Sequence, residues 1–140
     1  MEMAERADIL LIEDNPGDAR LAQIALKQGK ITTNVVWLKD GEEALEYLFA
    51  EGRYAQRNVK DLPKVVLMDL KLPKVNGFEV FQQIKNNPAT ADLQVVMITS
   101  SDEEKDIAKA NKLGLTRYIV KPMGFLKYVE QLSQLKDLLV

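Results

Sequence analysis

Short aliphatic runs of strand length alternate with segments of helical period along the whole chain. The runs are Ile9 to Ile12, Asn34 to Leu38, Val65 to Met68, Val95 to Ile98 and Tyr118 to Val120, each closed by polar or turn residues. Between the first two, Asn15-Pro16-Gly17-Asp18 supplies a cap and a first helical turn, since proline at the first helical position loses only an N–H that has no partner there. The pattern predicts a helix from there to about Gly29 with Leu21, Ile24 and Ala25 inward. After an Asp40-Gly41 turn, Ala44, Leu45 and Leu48 form the inner stripe of a second helix. Leu70 to Val75 carries Pro73 and no period, so it is expected to be a loop; Asn76-Gly77 ends it before a third helix with Val80, Phe81 and Ile84 inward. Asp102 to Leu113 has a thin apolar face of Ile107, Ala108, Ala110 and Leu113. In the last helix Phe125, Tyr128, Val129, Leu132, Leu135 and Leu139 recur at helical spacing, while Leu126 and Leu138 fall off that stripe and are expected to be exposed, where they could serve self-association.

Continuously aliphatic strands separated by helices imply an α/β fold: a mainly parallel sheet covered on both faces, doubly wound through right-handed crossovers into three layers. A length of 140 residues suits one such domain. The expected division is an N-terminal extension over 1–7 and one domain over 8–140. In these folds the functional site lies outside the C-terminal ends of the strands. The residues just beyond the apolar cores of strands one, three, four and five are Glu13 and Asp14, Asp69, Thr99 and Ser100, and Lys121. Carboxylates, hydroxyls and an amine are thereby predicted to converge on one rim.

Composition narrows the chemistry of that rim. The chain holds no cysteine and no histidine, which removes disulfides, thiolate metal sites and imidazole ligands or bases. A net charge of −2 gives no basic field for nucleic acid, so direct nucleic-acid binding is not expected. Met1 to Arg6 is mixed in charge and no apolar run approaches membrane-spanning length, so a cytoplasmic protein with no membrane partner is expected.

Three carboxylates drawn together repel one another unless they take up protons or share a cation. With oxygen ligands alone, a hard ion fits, Mg²⁺ or Mn²⁺ in preference to Zn²⁺, with Asp14 and Asp69 as the expected direct ligands. A carboxylate can also attack a phosphoryl group to form an acyl phosphate. Asp69 as nucleophile, with Lys121 and the Thr99 hydroxyl on the phosphoryl oxygens, completes that set.

In identity, order and spacing these residues resemble the signature of response-regulator receiver domains of two-component signalling, from about Asp8 to the end. Ile12-Glu13-Asp14-Asn15 is similar to the acidic pair after the first strand, Met68-Asp69-Leu70-Lys71-Leu72-Pro73 to the phosphorylation loop, and Asn76-Gly77 to its downstream turn. Ile98-Thr99-Ser100 and Tyr118-Ile119-Val120-Lys121-Pro122 are similar to the switch threonine and the lysine-proline element. The resemblance implies a CheY-like, flavodoxin-like sheet of five parallel strands ordered 2-1-3-4-5 with five helices. It implies a signalling switch, not an enzyme acting on other substrates: phosphotransfer from a histidine kinase to Asp69, Mg²⁺ on Asp14, Asp69 and the Lys71 backbone carbonyl, and Glu13 acting through water. It further implies a cis bond before Pro122, inward movement of Thr99 with rotation of Tyr118, and a changed surface over the fourth helix, fifth strand and fifth helix that meets a downstream protein, a phosphotransfer domain or a second copy.

The sequence departs from the family pattern in places. Glu13 stands where aspartate is frequent, and Lys71 and Ser101 occupy positions that tune phosphoryl lifetime. Glu51 to Leu62 is longer than a minimal connection. A similar extension marks regulators that work with bacterial phytochrome kinases. Its Arg53, Tyr54 and Arg57 are expected to be solvated loop residues, with a docking site as the second reading. Two alternative functions remain at this point: an aspartate-nucleophile phosphatase of the haloacid-dehalogenase type, weakened because Lys71 stands where that class places a second carboxylate, and a receiver fold used as an unphosphorylated binding module.

Overall fold

The computed structural model describes residues 7–99, 104–115, 117–120 and 124–139. Five strands, β1 (Ile9–Ile12), β2 (Val35–Leu38), β3 (Val65–Met68), β4 (Gln94–Thr99) and β5 (Tyr118–Val120), form one sheet in the order β2-β1-β3-β4-β5. Every pairing is parallel, with Ile12 opposite both Leu38 and Met68. The chain adds β2 on one side of β1 and β3 on the other, so order reverses between β1 and β3. That is the crevice where such folds bind their ligands.

Alternation along the strands divides the core into two layers. Leu10, Ile12, Val66, Met68 and Met97 point to a layer covered by α2 (Gly41–Phe49), α3 (Gly77–Asn86) and α4 (Glu104–Lys112). Ile9, Leu11, Leu67, Val96 and Ile98 point to the opposite layer, closed by α1 (Pro16–Gln28) and α5 (Phe125–Ser133). The residues of β1 and β3 are at most 3% exposed, as a central parallel strand requires.

Helix starts follow from capping. Asn15, Asp40 and Asn76 each accept an N–H from three residues on, and Pro16 opens α1. The Asp40-Gly41 turn of the sequence reading is therefore the cap and first residue of α2.

Helix faces depart from expectation in α1, in α4, where Ala108 is exposed, and in α5. In α1, Leu21 and Ile24 are 42% and 41% exposed, and the buried side is Ala19, Ala22, Ala25 and Leu26. Alanines let α1 lie close beside α5, so the larger residues turn outward. At the other end, α5 gives way after Ser133 to a 3-10 turn over Gln134–Leu138. The tighter winding shifts the phase, so Leu138 packs against the α1–α5 layer, where the helical period had placed it outside. Phe125, expected inside, is 40% exposed, and Leu126 is exposed as expected.

Candidate metal and phosphoacceptor site

Glu13 leaves β1 with its main chain fixed on both sides. Its N–H donates to the Leu38 carbonyl at 3.0 Å, and its carbonyl accepts the Trp37 indole N–H at 2.7 Å. The side chain is buried, and Oε2 accepts the Asn15 N–H at 3.2 Å. Asp14 is exposed beside it. Capping of α1 falls to Asn15, whose side chain accepts from the Asp18 N–H at 3.0 Å, so Asp14 is not needed for that task. Across the crevice the Asp69 N–H donates to the Ile12 carbonyl at 3.0 Å, which brings the end of β3 level with the acidic pair.

One carboxylate oxygen from each of Glu13, Asp14 and Asp69 lies within 4.8 Å of the others. Such proximity raises the repulsion between ionised groups and favours a shared cation. An all-oxygen donor set with one buried and two more accessible members fits a hard divalent ion that keeps several waters.

The segment after Asp69 is a folded turn. Leu70 and Leu72 are buried in the core, and the Lys71 N–H donates to Asp69 Oδ1 at 3.0 Å. Lys74 has a φ of 68°, and the Val75 N–H donates to the Pro73 carbonyl at 2.8 Å. Gly77 then donates its N–H to the Leu70 carbonyl at 2.8 Å. A Cβ on Gly77 would lie 2.6 Å from the Asp69 carbonyl oxygen, so glycine is required for α3 to start this close to the carboxylate.

Residues 9–133 match the family described as response regulator receiver domain. The chain belongs to the response-regulator receiver family. It is 36% identical over 129 residues to the probable methanogenesis regulatory protein FilR2 of Methanothrix harundinacea, covering 92% of this chain and 81% of that protein. Response regulator Rcp1 of Synechocystis is 37% identical over 113 residues, covering 81% and 75% of the two chains, and its Mn²⁺-bound crystal structure superposes with a TM-score of 0.80 over 92% of this chain and 91% of that one, at 32% identity. The crystal structure of the phosphorylated cyanobacterial phytochrome response regulator RcpA superposes with a TM-score of 0.81 at 34% identity, covering 95% of this chain and 93% of that one. The chain is thus a receiver domain of two-component signalling, similar to phytochrome-associated regulators.

Other receiver positions fall as follows. Thr99 ends β4, its main chain opposite Val120, and Lys71 is exposed at the start of the loop. Tyr118 opens β5 opposite Met97, half-buried against the layer formed by α2, α3 and α4. Ser100, Lys121 and Pro122, with the expected cis bond, lie outside the described residues. Among the described residues no helix is long and apolar enough to cross a membrane.

Two features of this receiver domain were not foreseen. Trp37 reaches the acidic pair through its indole N–H, although it sits on β2. The stretch 51–62 is largely exposed, Arg53 included, as expected of a solvated loop, but Arg57 and Tyr54 are drawn onto α2. Arg57 is buried, its guanidinium 3.8 Å from the centre of the Tyr47 ring, and it donates to the carbonyls of Tyr47 and Asp61. The Tyr54 hydroxyl donates to Glu43 Oε2 at 2.6 Å, and burial together with that carboxylate pushes the phenol well above its ordinary range. Arg53 Nε donates to Glu46 Oε1 at 2.8 Å, which holds the Glu46 carboxyl below its usual value. Tyr54 between Arg53 and Arg57 in the extension was the available signal. Their partners on α2 lie only 7 to 11 residues earlier, but which side chains meet depends on how the chain turns back after the helix.

Proposed function

We propose that this receiver domain accepts a phosphoryl group on Asp69 from a histidine kinase in a Mg²⁺-dependent reaction and signals through the face made by α4, β5 and α5. The observation that carries this reading is the meeting of Glu13, Asp14 and Asp69 at the C-terminal rim of the central strands, one oxygen of each within 4.8 Å of the others.

An Asp69 carboxylate oxygen attacks phosphorus while the bond to the donor's leaving group breaks, giving an acyl phosphate. The Lys71 N–H donates to Asp69 Oδ1 and orients the carboxylate for that attack. Asp14 and Asp69, with the Lys71 carbonyl, would hold the divalent ion directly and Glu13 would act through water; Mn²⁺ would serve in the same place. When bound, the ion neutralises charge on the transferring oxygens. Lys121 and the Thr99 hydroxyl would take the remaining phosphoryl oxygens, with Ser100 and Pro122 as further proposed site residues, and Tyr118 would follow Thr99. The protein catalyses only its own phosphorylation and dephosphorylation. A phytochrome-type kinase in the cytoplasm is the proposed donor, in keeping with the names of Rcp1-like and RcpA-like relatives. A downstream protein, a phosphotransfer domain or a second copy is the proposed target of the α4-β5-α5 face.

The reading is tested by incubation with acetyl phosphate and Mg²⁺ followed by intact-mass analysis. One phosphoryl group should be added to the native chain and none to Asp69→Asn. Absence of the adduct in the native chain, or its persistence in Asp69→Asn, contradicts it.

A further inference from the structure

One side chain of the 51–62 extension, Tyr54, ends on the first turn of α2, the turn that lies against the Asp69 loop. The Tyr54 hydroxyl donates to one Glu43 oxygen at 2.6 Å, and the other oxygen accepts the Lys39 N–H at 3.1 Å. The Glu43 N–H in turn donates to Asp40 Oδ1 at 2.8 Å, closing the first turn of α2. Asp40 Oδ2 lies 3.6 Å from Lys74 Nζ in the loop. Beside it Gly41 approaches the loop so closely that a Cβ would sit 2.0 Å from the Val75 carbonyl oxygen.

The magnitudes decide which of these contacts transmits. Lys74 is 55% exposed at its side chain, so its ion pair is screened and contributes little. The approach of Gly41 to Val75 is backbone against backbone and cannot be relaxed by a side-chain rotation. Glu43 is buried with its carboxylate shared between two donors, so removing one donor leaves a buried oxygen short of a partner. The first turn of α2 then has to shift or admit water, and the loop moves with it.

We propose that the extension is a positioning element for the phosphoacceptor loop, with Tyr54 acting through Glu43 and the N-terminus of α2 to set where residues 70–76 lie. The consequence for phosphoryl uptake rests on Asp69 being the phosphoacceptor. The placement of the loop does not.

The test compares the native chain with Tyr54→Phe and Glu43→Gln by residue-resolved amide exchange and by the rate of phosphoryl uptake from acetyl phosphate. Exchange at the Lys71, Val75 and Gly77 amides should rise by about three- to tenfold, the equilibrium equivalent of one hydrogen bond. Uptake should slow, while the Leu67 amide in β3 exchanges at its native rate. Native exchange at the loop amides in both variants overturns the proposal. So does a parallel rise at Leu67, which marks a global loss of stability. If the native chain takes up no phosphoryl group, the phosphoacceptor reading fails, and loop exchange still decides the positioning claim.

Discussion

The indole N–H of Trp37 donates to the Glu13 carbonyl at 2.7 Å, a side-chain bond that ties an edge strand to the acidic pair. Trp37 is the chain's one tryptophan, so its emission reports on the metal site directly. Titration with Mn²⁺ should quench the emission to a plateau, and Mg²⁺ should compete. Asp14→Asn should weaken the apparent affinity at least about tenfold, since even outer partners of a metal site carry effects of that size. Quenching that never saturates, or an unchanged midpoint in Asp14→Asn, would show that no ion binds between these carboxylates.

Arg57 is held by two main-chain carbonyls and by the face of Tyr47. Arg57→Ala leaves those carbonyls without their donor and removes the stacked cation, at a cost of about 2–4 kcal/mol. Arg57→Lys should recover little, because an ammonium cannot present the planar fork that meets both carbonyls. Urea unfolding with unchanged slope measures both. A loss below 1 kcal/mol, roughly what a surface change produces, would return the extension to the status of a solvated loop.

The unequal legibility of sequence and structure has a physical basis. The strands were legible because a parallel strand buried on both faces must be aliphatic throughout, and the positions of Glu13, Asp14 and Asp69 followed from where those runs end. The inward face of α1 was not, because Leu21 and Ile24 compete with Ala19, Ala22 and Ala25 for one side and the outcome depends on how closely α5 approaches. Leu138 depended on a change of helical winding that periodicity cannot foresee. The burial of Glu43 and Arg57 was hidden for another reason: polar residues are buried only when a partner satisfies them, and Tyr54, Tyr47 and Asp61, though near in sequence, become partners only after the chain turns back on α2.

The Tyr54 phenol gives a stability effect of defined sign. Its pKa is raised above the ordinary value of 10.0 by burial first and by the Glu43 carboxylate second. Above that pH the unfolded chain loses the proton and the folded chain keeps it, so the unfolded state binds fewer protons and stability falls as pH rises. The contribution is fully present below pH 10 and is lost on the alkaline side. Thermal midpoints measured from pH 8 upward should fall more steeply for the native chain than for Tyr54→Phe. Parallel curves would mean that the hydroxyl is not held by Glu43.

The central claim is that Asp69 itself carries the phosphoryl group, and chemical trapping tests it most directly. After exposure to acetyl phosphate and Mg²⁺, borohydride reduces an aspartyl phosphate to homoserine, and peptide mass mapping locates the change. The account predicts homoserine at position 69, absent when Mg²⁺ is chelated. Homoserine at another carboxylate, or an unmodified Asp69 under the same conditions, would contradict it.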